Sequence, residues 1–280
     1  MGALNIVHSW YGHKRRWLLL LSVTLLSACS GIPHAEQLAD RHGLSLRQVS
    51  GGSFLLPVLA DPELPQGGAL HVYIAGDGRP WRKRMRARNP TGRSTLALEL
   101  MLADPHPALL LGRPCYYQRG TPSPPCEPGL WTDGRYSQLV VDALAGALEQ
   151  LVTAHQPQTL LLVGYSGGGA LALLVAQRQT LPTTVVTVAS NLDTEAWTEH
   201  HRHLPLAGSL NPALDVVQGA AFRQIHLAGA LDTVVPLATT VRYREHHPEA
   251  RYLVREEFDH RCCWVQAWPD LLREILGAGA

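Results

Sequence analysis

Residues 159–179, TLLLVGYSGGGALALLVAQRQ, decide how this chain folds. A short apolar run, 160–163, stops at Gly164-Tyr165-Ser166-Gly167-Gly168, and an Ala/Leu-rich segment of good helix propensity follows. Strand, tight turn and helix in that order are the setting in which Gly-x-Ser-x-Gly makes a nucleophile elbow. The turn brings strand and helix backbones close together, where a Cβ on Gly164 or Gly168 would crowd them. Ser166 then projects at the carboxyl edge of a sheet. The free N–H groups that open the helix, Gly167 first, point at the same spot, where negative charge would develop on a substrate oxygen. The competing reading is a Gly-rich connection or a phosphate cradle, but the Gly-x-x-x-x-Gly-Lys-Ser/Thr of a P-loop does not occur.

Outward from the elbow, strands alternate with helices. Downstream, 184–189 and 224–227 read as buried strands, 252–254 as a short last strand, and 239–247 and 263–276 as helices. Residues 190–210, with Trp197, His200, His201 and His203, show no regular period and are expected to cover the sheet as a small lid. Upstream, 137–155 has Leu144, Leu148 and Leu151 at helical spacing, 108–111 is a short buried strand, and 94–103 is a helix with Ser94 as its N-cap. The run 69–74, ALHVYI, is a strong strand. Residues 44–49 and 54–60 form a hairpin through Ser50-Gly51-Gly52, with Pro57 directing its strand toward an edge. The pattern predicts an α/β protein with a mostly parallel sheet and helices on both faces.

A serine needs a base within reach, and the base needs an orienting carboxylate. Behind an elbow the chain order is Ser, then Asp or Glu, then His. Asp232 lies just beyond the strand 224–227 and is followed by Thr233-Val234-Val235-Pro236, which makes it the expected acid. The rival is Asp193, also just past a strand, with helix capping or a place in the pocket wall as its other reading. His260 follows the last strand and precedes the last helix, where the base belongs. The second oxyanion donor is expected from the Gly76-Asp77-Gly78 turn after the strand 69–74. It is the N–H of Asp77 or of Gly78, beside that of Gly167. Residues 81–88, WRKRMRAR, hold five cations in eight positions, either as a solvated loop or as a seat for a phosphate or anionic headgroup. His200, His201 and His203 are the alternative metal set, although no His-Glu-x-x-His pattern accompanies them.

Together, Gly164–Gly168, Gly76-Asp77-Gly78, Gly229-x-x-Asp232 and His260 resemble the α/β-hydrolase superfamily of serine esterases, lipases and related acyl hydrolases. The resemblance spans 44–276. More narrowly, the chain is similar to secreted bacterial α/β-hydrolase lipoproteins whose oxyanion loop reads Gly-Asp-Gly and whose histidine is followed by Cys-Cys-Trp, here Cys262-Cys263-Trp264. It implies an α/β-hydrolase fold and a membrane-anchored serine hydrolase of carboxylic esters, acting without cofactor or metal on a small-molecule or lipid ester. The same triad would serve an acyltransferase or a peptidase, and the non-enzymatic alternative is a hydrolase-fold binding or assembly lipoprotein. The loop is not the His-Gly-Gly-Gly of many lipases, so their acyl preference does not transfer.

The N-terminus reads as an address. Lys14-Arg15-Arg16 precede an apolar run too short for a comfortable membrane span, and residues 1–28 are expected to be a signal peptide. Leu26-Ser27-Ala28-Cys29 resembles the bacterial lipoprotein box, with Cys29 lipidated, 29–43 as tether and 44–280 as the hydrolase domain. Ser30 after the cysteine points to the outer membrane, facing the periplasm, with lipid as the membrane contact. Lys14, Arg15 and Arg16 belong to a chain of 24 basic and 23 acidic residues. Without them the charge is close to balanced, which argues against a nucleic-acid partner. Beyond Cys29, four cysteines remain, an even number in an oxidising compartment. A Cys115–Cys126 bridge is favoured, leaving Cys262 and Cys263 as a vicinal pair or two thiols; the alternative links each of the first two to one of the last.

Overall fold

The structure, a computed structural model, describes residues 34–117 and 126–277. The expected signal peptide and the lipidated Cys29 lie outside these residues. Helix α1 (His34–Arg41) precedes a hairpin of β1 (Ser45–Gly51) and β2 (Phe54–Ala60); then come β3 (Ala69–Ile74) and a two-stranded ribbon of β4 (Trp81–Arg82) and β5 (Met85–Arg86). Next are α2 (Leu96–Leu102), β6 (Ala108–Leu111), α3 (Gln138–His155), β7 (Thr159–Tyr165), α4 (Gly167–Ala176) and β8 (Thr183–Val188). The described chain closes with α5 (Thr194–His200), α6 (Pro212–Asp215), β9 (Arg223–Gly229), α7 (Val241–His246), β10 (Arg251–Arg255) and α8 (Trp264–Gly277).

Eight strands form one sheet in the order β1-β2-β6-β3-β7-β8-β9-β10. β2 is antiparallel to both of its neighbours, and all pairs from β6 to β10 are parallel. Parallel strands covered on both sides are apolar at every position, and β7 is the example. Leu160 and Leu162 join the core built with α3 and α4, while Leu161 and Val163 join the core built with α1, α2 and α8. α3 starts behind Ser137, whose side chain accepts from Val140 N–H, and ends at Gln156 in the left-handed region. Among the described residues, no helix is long and apolar enough to cross a membrane.

Four local expectations change. Pro57 does not put β2 at an edge, since β2 lies between β1 and β6. The Pro57 carbonyl accepts from Gly112 N–H at 2.7 Å, just past the end of the β2–β6 ladder, so the missing N–H faces the β6 side where pairing has stopped. Residues 34–41 are not a free tether: they form α1, which buries Ala35 and Ala39 at i,i+4 spacing in the second core. The region 190–210 is not wholly irregular, because Asp193 caps α5 through bonds to the N–H groups of Glu195 and Ala196. Ser94 is not the N-cap of α2; Thr95 holds that position, and its hydroxyl donates to Glu99 instead of capping.

Candidate active site

The carboxyl end of β7 passes directly into α4 through Ser166, whose φ of 54° and ψ of −126° lie outside the comfortable regions for a side-chain-bearing residue. The turn is tight enough that a Cβ on Gly164 would run into the backbone of Gly168 and Gly169, and one on Gly168 into the Ile74 carbonyl. Gly167 opens α4, so its N–H has no acceptor within the helix. From the other side the 76–78 turn closes on the same point. A Cβ on Gly76 would lie 3.1 Å from Ser166 Cβ and 3.6 Å from its Oγ. Among the described residues, the N–H groups of Asp77 and Gly78 donate to no acceptor.

Asp232 and His260 meet at the adjoining strand ends. His260 Nδ1 is 2.8 Å from Asp232 Oδ2. The other carboxylate oxygen accepts from the N–H groups of Val234 and Val235, both at 2.8 Å. Asp232 is buried and His260 partly buried, so the carboxylate is shielded from water. An ionised Asp232 makes Nδ1 the donor and leaves Nε2 as the available base. The two loops brace one another, since Leu231 N–H donates to the Phe258 carbonyl at 3.0 Å. Asp259 then stiffens the histidine turn by accepting from the N–H groups of Arg261 and Cys262, both at 2.6 Å. The elbow reaches this loop too: Tyr165 donates its hydroxyl to the His260 carbonyl. Asp193, the rival acid, has its oxygens taken by α5, by Asn211 and by Arg242.

The side chain of Asp77 has a separate task. Arg113 Nη1 donates to its Oδ1 at 2.7 Å, Arg135 Nη1 to its Oδ2 at 2.9 Å, and the Tyr136 hydroxyl to the same carboxylate at 2.7 Å. Burial would raise the Asp77 carboxyl, but the charges of Arg135 and Arg113 more than offset it and lower it to about 2. Tyr116 donates its hydroxyl to the Asp77 carbonyl at 2.8 Å, which ties the backbone of the turn as well. Sequence reasoning assigned none of Arg113, Arg135, Tyr116, Tyr136 or Tyr165. Arg113 begins and Tyr136 follows the densest Pro/Gly stretch of the sequence, 113–134, which reads as a long loop, and no spacing rule joins them to Asp77.

Cys115 is bonded to Cys126, next to Tyr116, and Cys262 to Cys263, two residues past His260. His200, His201 and His203 do not gather their ring nitrogens around a common point: His201 Nε2 lies 2.9 Å from the Val234 carbonyl, and His201 stacks on His203. Among the described residues, the one set with metal-ligand spacing is His71, Asp104 and His106. It lies toward the amino end of β3, away from the elbow. There Asp104 Oδ2 is 2.6 Å from both His71 Nδ1 and the Tyr73 hydroxyl, and Oδ1 is 2.9 Å from His106 Nδ1, so internal hydrogen bonds satisfy the carboxylate.

No protein-family model matches the chain, and no curated protein matches it in sequence. Solved structures do. An α/β serine hydrolase homologue from Coxiella burnetii is 17% identical, with a TM-score of 0.55 over 83% of this chain and 95% of that one. The esterase Pf2001 from Pyrococcus furiosus is 10% identical, with a TM-score of 0.55 over 84% and 88%. Est1E from Butyrivibrio proteoclasticus is 10% identical, with a TM-score of 0.58 over 82% and 97%. Identities this low speak to architecture alone. Taken with the strand order and the elbow at Ser166, they establish that this chain has the α/β-hydrolase fold.

Proposed function

We propose that the chain is a serine hydrolase that cleaves carboxylic esters through an acyl-enzyme. Ser166 Oγ attacks the ester carbonyl carbon while His260 Nε2 takes the hydroxyl proton. Asp232 holds the imidazole by Nδ1 and stabilises its charged form. The tetrahedral oxyanion is received by Gly167 N–H and by the N–H of Asp77 or Gly78. Collapse breaks the bond to the alcohol, which leaves with the proton from His260. Water, deprotonated by the same nitrogen, then attacks the acyl-Ser166 and releases the acid. The observation that carries this reading is the strained backbone of Ser166 set against Gly76, together with the Asp232–His260 hydrogen bond, whose loop is tied to the elbow by Tyr165. We also propose, on the basis of residues 14–29, that Cys29 carries lipid and anchors the enzyme to the outer membrane, facing the periplasm.

A fluorophosphonate tests the chemistry. The full chain in neutral detergent micelles should be labelled at Ser166, as mapped by mass spectrometry, and Ser166→Ala should not be labelled. Absence of labelling in folded protein at neutral pH would overturn the reading. Mass spectrometry of the N-terminal peptide from the producing bacterium tests the anchor, where an unmodified Cys29 thiol would overturn it.

A further inference from the structure

A cavity of about 1010 Å³ is lined by residues that bond to both loops of the candidate site. One wall is the β4–β5 ribbon. Trp81 pairs with Arg86 and Arg82 with Met85, and side chains alternate across a ribbon. Trp81 and Arg86 therefore turn toward the cleft, together with Lys83 and Arg84 at the tip, while Arg82 and Met85 do not line it. The ribbon is fixed from below, since Ala87 N–H donates to the Pro80 carbonyl and Trp131 Nε1 to the Ala87 carbonyl. The facing wall is the segment after α5, with Trp197, Arg202 and His203. Arg135, which binds Asp77, lies between the walls. Trp197 Nε1 donates to the carbonyl of Val234, whose N–H bonds Asp232. The cleft is thus joined to the oxyanion turn through Arg135 and to the acid loop through Trp197.

Its charge is one-sided. Five cations, Lys83, Arg84, Arg86, Arg135 and Arg202, meet a single carboxylate, Asp133. Arg135 is neutralised by Asp77, and Arg86 and Arg135 act on Asp133. Among the described residues, the side chains of Lys83, Arg84 and Arg202 have no ion-pair or hydrogen-bond partner. Burial pushes the His203 imidazole down, which disfavours its charged form. A concave wall of unpaired like charges focuses a positive potential. The arginine forks are suited to two-oxygen recognition of phosphate or carboxylate, and the tryptophans offer apolar faces beside them.

Building on the serine-hydrolase reading, we propose that the substrate is an ester bearing a phosphate or carboxylate group remote from the scissile bond, held in this cleft by Lys83, Arg84, Arg86 and Arg202. The cleft is large enough for a small organic anion.

The test uses the full chain in neutral micelles. Pyrophosphate should quench tryptophan fluorescence through Trp81 and Trp197, more weakly as salt rises. The Arg84→Gln/Arg202→Gln variant, one residue from each wall, should weaken this binding about tenfold or more. The Arg82→Gln/Arg88→Gln variant loses the same charge outside the cleft and should bind as the parent does. In turnover, the ratio of kcat/KM for 4-nitrophenyl hydrogen glutarate over 4-nitrophenyl butyrate should fall by a similar factor in the first variant, through KM. Micelles doped with phosphatidylglycerol identify the source of the anion: competition with pyrophosphate marks a lipid headgroup, and its absence marks a soluble ester. No pyrophosphate binding, or equal losses in both double variants, would overturn the proposal. Because binding does not use Ser166, failure of the hydrolase reading would appear separately, as pyrophosphate binding without turnover or fluorophosphonate labelling.

Discussion

Tyr165 donates its hydroxyl to the backbone carbonyl of His260 at 3.0 Å, and the two rings lie 5.2 Å apart. The residue before the candidate nucleophile thus holds the loop of the candidate base. Tyr165→Phe should retain the fold, with a stability loss of about 1 kcal/mol. It should lower kcat about tenfold while leaving KM nearly unchanged, because it displaces the base and not the substrate. Steady-state kinetics beside a urea titration separate the two effects, and a change confined to KM would contradict this role.

Asp232 and Asp193 are both buried, yet only Asp232 contacts His260. Asp232→Asn should lower kcat by about 10³–10⁴. Asp193→Asn removes the charge that pairs with Arg242 and weakens the cap of α5. It should show its effect as a loss of stability, with fluorophosphonate labelling of the folded protein retained. Labelling rates of the two variants, measured in parallel, decide the assignment.

The Asp77 carboxyl titrates near 2 instead of 3.8, so between those values the native state binds fewer protons than the unfolded chain. The resulting stabilisation, about 2 kcal/mol, is fully present above pH 4 and is lost as pH falls through 2. Asp77→Asn should flatten that part of the acid-unfolding profile. At neutral pH it should destabilise by about 3 kcal/mol, because Arg113 and Arg135 would be left without their counter-charge. Urea unfolding at several pH values measures both.

Gly76→Ala places a methyl group 3.1 Å from Ser166 Cβ and 3.2 Å from the Tyr165 carbonyl. The expected outcome is at least a tenfold loss of ester turnover with a nearly unchanged thermal midpoint, since the clash is confined to the reacting end of the sheet. A wild-type rate would mean that the 76–78 turn does not approach the reacting atoms.

The Cys115–Cys126 bridge closes a loop of about a dozen residues, for which chain entropy predicts about 3 kcal/mol. Replacing both cysteines by serine should lower the thermal midpoint accordingly. It should also loosen the hold of Tyr116 on the Asp77 carbonyl and reduce turnover in protein that remains folded. Calorimetry and activity below the transition test the two parts.

The central elements were legible because each carried its own signal. β7 is apolar at consecutive positions and runs into glycines that strand–helix contact requires, and α3 has a leucine stripe and a serine cap. Elements whose cause is tertiary were not. α1 is eight residues long and inserts only small alanines and Glu36 into the interior, so its sequence reads as polar. The β4–β5 ribbon was hidden in a run of cations, because its turn at Lys83-Arg84 puts one arginine and one apolar residue on each face, Arg86 with Trp81 and Arg82 with Met85, which leaves no contrast between them. The Asp77 cluster joins residues 36 and 58 positions apart, and no local pattern marks such a pairing.

Among the described residues, β1 and β10 end the sheet and leave one row of peptide groups each without a strand partner. Bare edges of this kind invite another chain to add its own strand. β10 meets the hazard with arginines at both ends, Arg251 and Arg255, which grip Glu274 of α8 at 2.7 Å and 2.6 Å. β1 carries Arg47, tied by its guanidinium to the Pro62 carbonyl at 2.7 Å. An incoming backbone would have to strip water from these charges before gaining a single ladder bond. The sheet that presents the candidate catalytic groups at its carboxyl ends is thereby guarded along its sides against strand-to-strand aggregation at high local concentration.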